Sequence, residues 1–502
     1  MQTRRDQVQA HQFVVSRLTT GLLRADPDDP ETPTRRTTRG VVIGAVIGVL
    51  ISIGFLVFGL ISPGGATTWR NGGTLIVEKG TGTRYLYDGS LRPVRNYASA
   101  RLLVGADMKT DTISAASLAG TPHGSPVGIE GAPDVFPSTG DLNSGPWEVC
   151  AGTRPTDSGD RETTTSLVVE SERPGISVQA HEAVLVHGDK SYFLLWHGNR
   201  FRLAEGGATM DAMGYSASEP LEVSATFLES LPAGADLAAP AVSGQGDKGP
   251  ELDGKKARVG QVFLVKTPGS AEQYYLLQRA GLVPISTTQA ALALSGPGVR
   301  EKAYAGGTPA AVTISADALN GALAPRDPSG ESRGVQEAAA ALPSTPPKVL
   351  EVGDDRNACV RIASNGDAGT EVSVVLVESA VLRASAVQPV PALVRACLTV
   401  DSISVPPSGG SLVRALSSAG AALGDTTYLV TDTGVKYRIP SKDAAAALGY
   451  DLTAAQALPS PLLNMVPTGP DLSPEAAKAG QSAAGGVPDC AGKSSAGKRS
   501  AT

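Results

Sequence analysis

Apolar positions along this chain fall into three patterns, each predicting a different element. Residues 40–61 (GVVIGAVIGVLISIGFLVFGLI) contain no charge and no Pro, Asn, Gln or His. At about 1.5 Å per helical residue the run reaches roughly 33 Å, the depth of a bilayer's hydrocarbon core, and predicts one membrane-spanning helix. It is too long, and begins too far from the terminus, for a cleaved signal sequence. Ahead of it, Val14, Val15, Leu18 and Leu22 recur at three- and four-residue spacing. That spacing predicts a short helix over residues 7–23 with one apolar face, a candidate cytoplasmic docking helix. Residues 25–38 are rich in Pro, Asp, Thr and Arg, lack periodicity and read as a linker.

The third pattern lies beyond the span and recurs. Residues 85–94, 192–203 (YFLLWHGNRFRL), 274–285 (YYLLQRAGLVPI) and 428–440 (YLVTDTGVKYRIP) each join two extended runs through Gly89, Gly198, Gly281 or Gly434. Glycine there supplies the positive φ of a tight hairpin. Two of the units stay in step further on. Ala212-Met213-Gly214-Tyr215 matches Ala447-Leu448-Gly449-Tyr450, and Leu231-Pro232-Ala233-Gly234 matches Val466-Pro467-Thr468-Gly469. Each module is therefore expected to be a β-hairpin, a short Ala-rich helix ending at Gly-Tyr, a second helical segment and a Leu-Pro-x-Gly exit.

The resulting expectation is an α+β, single-pass membrane protein with four hairpin/helix modules around a discontinuous central domain. Residues 1–39 are the cytoplasmic segment and 40–61 the span. The modules occupy 66–130, 171–250, 251–345 and 401–475, the central domain 131–170 with 346–400, and 476–502 is a low-complexity tail.

Charge sets the orientation. Residues 1–39 hold seven Arg and five acids, whereas the whole chain carries a formal charge of −6. The basic flank places the N-terminus in the cytoplasm and about 440 residues outside. An acidic exported body argues against nucleic-acid binding. All four cysteines, Cys150, Cys359, Cys397 and Cys490, lie on the exported side, where an even count reads as two disulfides with three connectivities open. Joining the two halves of the central domain favours Cys150 with Cys359, which leaves Cys397 for Cys490.

Catalytic chemistry is sparse. Gly492-Lys493-Ser494 lacks the preceding glycine spacing and strand of a phosphate loop. His181, His187 and His197 lie close in sequence without metal-ligand spacing, and no serine sits in a nucleophile motif. No catalytic, cofactor or metal residue is assigned. Trp69, eight residues past the span, is placed at the membrane interface. Within the span, Gly44 and Gly48 form a G-x-x-x-G pair that lets a second helix approach closely.

The opening MQTRRDQVQAHQFVVSRLTTGLLR, the span, Gly73-Thr74-Leu75-Ile76-Val77-Glu78-Lys79, Arg84-Tyr85-Leu86-Tyr87, residues 93–102 (PVRNYASARL) and Gly128-Ile129-Glu130-Gly131-Ala132-Pro133 together resemble the EccB family. This is membrane component B of the type VII (ESX) secretion system of actinobacteria. The resemblance implies a structural core subunit assembled with EccC, EccD and EccE, self-association, and export of small WxG-type proteins. It also implies a disulfide within the exported domain. ATP hydrolysis has been proposed for the family, and with no nucleotide loop in this sequence, energy coupling falls to the EccC-type ATPase.

Overall fold

The computed structural model describes residues 4–24, 33–61, 67–169, 174–325, 335, 337, 340–366, 369–379, 393–417 and 422–480. They form two compact units, one of Met1–Pro93 with Lys109–Gly124, the other of Val94–Met108 with Ser125–Thr502.

In the first unit, helix Arg4–Arg24 precedes helix Pro33–Ile61. The second helix starts earlier than the apolar run, so residues 33–38, read above as linker, are helical. Proline suits a first helical position because its missing N–H would have no partner there. Next comes a sheet in the order Leu91–Pro93, Arg84–Tyr87, Thr74–Lys79, Lys109–Ser114. Its core is Trp69, Ile76, Leu91, Ile113 and Leu118. Trp69 is fully buried, with Tyr87 edge-on at 5.3 Å, which corrects the placement of this residue at a membrane surface.

The second unit holds three more sheets with the same four-strand order, one of which also takes Lys348–Leu350 as a fifth strand, parallel to Glu182–Gly188. In each, three antiparallel strands form a meander, and a fourth returns parallel to the first. One sheet orders Asn199–Arg202, Ser191–Trp196, Glu182–Gly188 and Leu221–Glu222, another Gly281–Ile285, Gln273–Gln278, Val262–Val265 and Val312–Thr313, and the third Lys436–Ile439, Ala422–Thr431, Gly410–Leu416 and Gln456–Pro459. A parallel return needs a crossover, supplied by helices Gly207–Met213, Thr287–Ser295 and Lys442–Leu448. The hairpin-then-helix reading above therefore lacks two strands per unit, the leading strand and the return strand.

Glycine enters for two separate reasons. Gly89, Gly198, Gly281 and Gly434 all have positive φ, as the turns demand. In the exits the reason is space. A Cβ on Gly234 would lie 2.6 Å from the Phe201 ring, and one on Gly469 2.3 Å from the Tyr437 ring. Gly469→Ala is expected to cost about 1–3 kcal/mol through overpacking, read as a lower urea midpoint. An unchanged midpoint would refute that close approach.

A six-stranded sheet runs Ser402–Ser404, Arg161–Val169, Trp147–Pro155, Arg356–Ser364, Thr370–Glu378, Ile176–Ser177. Its middle pair joins stretches about 200 residues apart, with Cys150 directly opposite Cys359. Trp147, Leu167 and Val360 from this sheet share one core with Leu195 and Val413 of the neighbouring sheets and with Phe227 and Leu462 of the short helices Ala225–Glu229 and Ser460–Leu463. The crossover helices also pair: Gly207–Met213 packs on Thr287–Ser295, and Tyr97–Val104 packs on Lys442–Leu448 and Pro474–Ala479.

Candidate functional site

Thr37–Gly59 is long and apolar enough to cross a bilayer and is exposed along its length. Gly44 and Gly48 lie one helical turn apart, and a Cβ at either would meet nothing within 4 Å. They leave a shallow strip where a second helix could approach. On helix Arg4–Arg24, the side chains of Val14, Val15, Leu18 and Leu22 are all exposed. Apolar groups in contact with water favour burial against another surface.

The central sheet supplies a rigid frame. Cys150 and Cys359 are disulfide-bonded, with Cα atoms 4.0 Å apart, among buried Val375 and Val377. Cys397 is disulfide-bonded as well, and Cys490 lies outside the described residues. Among the described residues, the group of three potential metal ligands within 4.8 Å is Glu148, Cys150 and Cys359, and the disulfide occupies both sulfurs. Glu148 is instead engaged by Arg361, whose Nε donates to Oε1 at 2.7 Å.

The histidines are dispersed. The His187 imidazole meets Glu222 at 2.8 Å, while His197 stacks on Trp196 at 4.0 Å with its Nε2 3.1 Å from the Ala180 carbonyl oxygen. His197 takes a positive φ, and Gly198 beside it is backed so closely by Val372 that a Cβ would lie 2.1 Å from that carbonyl oxygen. The hairpin tip is thus seated on the central sheet. Gly492-Lys493-Ser494 lies outside the described residues.

The matched second and fourth units reveal what their shared residues do. Gly214 and Gly449 end their helices in the left-handed conformation, and the following tyrosines reach back. The Tyr215 hydroxyl donates to the Pro347 carbonyl at 2.8 Å and that of Tyr450 to the Pro137 carbonyl at 2.5 Å. Burial raises the pKa of both phenols. Arg202 pairs with Asp236, and Arg438 with Asp471. Two positions earlier on each strand stands a second base. Arg200 donates to the Leu228 carbonyl, and buried Lys436 to the carbonyls of Leu463 and Val466. Burial lowers the Lys436 pKa to about 7. These bases close the last turn of the second short helix, where carbonyls lack intrahelical partners. Sequence matching found the positions; their partners, set by long-range packing, it did not.

Comparison with known proteins agrees with this geometry. The family model described as type VII secretion system ESX-1, transport TM domain B, matches residues 1–485. A relative from Mycolicibacterium smegmatis, the ESX-3 secretion system ATPase EccB3, is 27% identical over 93% of this chain and 89% of its own length. Among solved structures, a chain of an intact ESX-5 inner membrane complex superposes with a TM-score of 0.59 at 22% identity, covering 95% of both chains. The EccB3 dimer from the ESX-3 core complex gives 0.58 at 24% identity, over 80% of this chain and 99% of that one. At such identities these likenesses speak to the fold. The family match covers nearly the whole sequence: the chain belongs to the EccB family of type VII secretion components.

Proposed function

We propose that this protein is a structural core subunit of a type VII secretion complex in the cytoplasmic membrane, supporting export of small WxG-type proteins. The observation that carries the reading is the family match from the first residue through the span to residue 485. Residues 1–39 lie in the cytoplasm, and the remainder beyond residue 61 lies outside, as four repeat modules around the discontinuous central domain. The exposed Val14, Val15, Leu18 and Leu22 face serves cytoplasmic docking, and Gly44 with Gly48 packs against a neighbouring span. EccC, EccD and EccE type components are the partners, together with further copies of this chain; the related EccB3 has been solved as a dimer. Cys397 pairs with Cys490, holding the tail to the body. No cofactor is assigned.

Extraction in mild detergent from cells containing the whole system is expected to yield this chain in a large assembly with those membrane components. Recovery only as a monomer would overturn the assignment. A second reading comes from the relatives' names, which call them ATPases. ATP turnover by the purified chain, abolished by a single point substitution, would establish it.

A further inference from the structure

The exit segment of the fourth module is covered by a neighbouring extended segment, and among the described residues that of the second is not. Both exits bridge in parallel to the third strand of their sheet, Lys436 with Thr468 and Arg200 with Ala233. Their inward hydrogen bonds correspond one for one. Lys436 N–H donates to Pro467 at 2.9 Å and Gly469 N–H to Lys436 at 2.8 Å; Arg200 N–H donates to Pro232 and Gly234 N–H to Arg200, both at 2.9 Å.

The outward bonds differ. Thr468 exchanges two backbone hydrogen bonds with Val394, at 2.8 and 2.9 Å, and Leu398 N–H donates to the Asn464 carbonyl at 3.0 Å. Residues 393–398 (LVRACL) therefore run along this exit, bridging it in antiparallel sense at Val394. Ala233, at the position of Thr468, has no backbone hydrogen bond of its own among the described residues. A groove of about 280 Å³ lies there instead, lined by Phe193, Leu228, Arg200, Arg202, Glu229 and Asp189.

The lining corresponds as well. Phe193 stands across from Arg202 as Tyr428 stands across from Arg438, so each sheet offers an aromatic ring at the same register. Glu229 occupies the position of Asn464, the residue that accepts from Leu398. Asp236 holds the Arg202 guanidinium and the Leu228 carbonyl holds that of Arg200. With Asp189 and Glu229 added, carboxylates outnumber guanidiniums around the groove. The segment on the fourth module carries an exposed base, Arg395, between aliphatic residues.

We infer that the groove of the second module is a strand-docking site for an extended segment of another polypeptide, aliphatic with a basic residue between. The segment adds to Ala233 as residues 393–398 add to Thr468, with backbone bonds giving affinity and the aromatic floor and acidic rim giving selectivity. This groove is read from two modules of one chain and stands whether or not the chain works in a secretion complex.

The test uses the full chain in detergent and a fluorescently labelled hexapeptide, Leu-Val-Arg-Ala-Ser-Leu, followed by anisotropy. Saturable binding is expected. Ala233→Pro removes one outward donor and leaves both inward bonds in place, and is expected to weaken binding at least about tenfold. Glu229→Lys is expected to weaken it several-fold, with circular dichroism confirming that both variants fold. Absence of saturable binding, or equal affinity for the wild type and Ala233→Pro, overturns the proposal. Deleting residues 481–502 should leave the affinity unchanged; a rise would assign the groove to this chain's own tail and would overturn it too.

Discussion

Replacing Cys150 and Cys359 together by alanine is expected to lower the unfolding free energy of the central sheet by about 2–5 kcal/mol. The two residues are 209 positions apart in sequence and directly opposite each other in the middle of the sheet. A covalent link across so long a loop removes much of the unfolded chain's freedom, and the alanines also leave small voids among Val375 and Val377. Trp147, fully buried on the same strand as Cys150, reports the transition by fluorescence in urea. A midpoint that is the same for the double variant and the oxidised wild type would show that the strand pairing alone holds the halves together.

Glu148→Ala is expected to destabilise the same sheet by about 1.5–3 kcal/mol, because it removes the buried carboxylate that accepts from the half-buried Arg361 guanidinium. Glu148 and Arg361 face each other across the central strand pair, two residues along each strand from the disulfide, with Glu148 2% exposed. Replacing both by leucine is expected to recover most of the loss, since an apolar pair of similar volume avoids the desolvation of two charges. If Glu148→Ala unfolded within about 1 kcal/mol of the wild type, the pair would be relieved by water instead.

Several of these features could be read from residues alone, and the failures have physical causes. The span was legible because a bilayer tolerates so few sequences; its helical prelude at Pro33–Arg39 was not, because Pro, Thr and Arg also suit a linker. The hairpins announced themselves through glycine and aromatic runs. The leading strands, such as Glu182–Gly188 and Val262–Val265, are buried along most of their length and carry no turn signal or alternation of their own. Return strands of two to six residues are too short for any periodicity to register.

Matching Tyr192 with Tyr428 also concealed a slip. Leu195 pairs with Arg200 around a tight His197-Gly198 turn, whereas Val430 pairs with Lys436, so the fourth module's turn is one residue longer. Only the hydrogen-bonded ladder shows that Phe193, and not Tyr192, corresponds to Tyr428. Among the site residues, Gly234 and Gly469 were visible as a motif, but the rings that require them became apparent only once the strands were paired.

The split central sheet also sets an order of events. A chain made from its N-terminus completes strands Trp147–Pro155 and Arg161–Val169 long before Arg356–Ser364 exists. That hairpin must wait with both edges unpaired, one for Arg356–Ser364 and the other for Ser402–Ser404, while the intervening residues are being produced. The unpaired edges are a hazard for association with other chains during this interval. Local pairings come first and the distant pairing last, so the split sheet is the last of these parts to be finished.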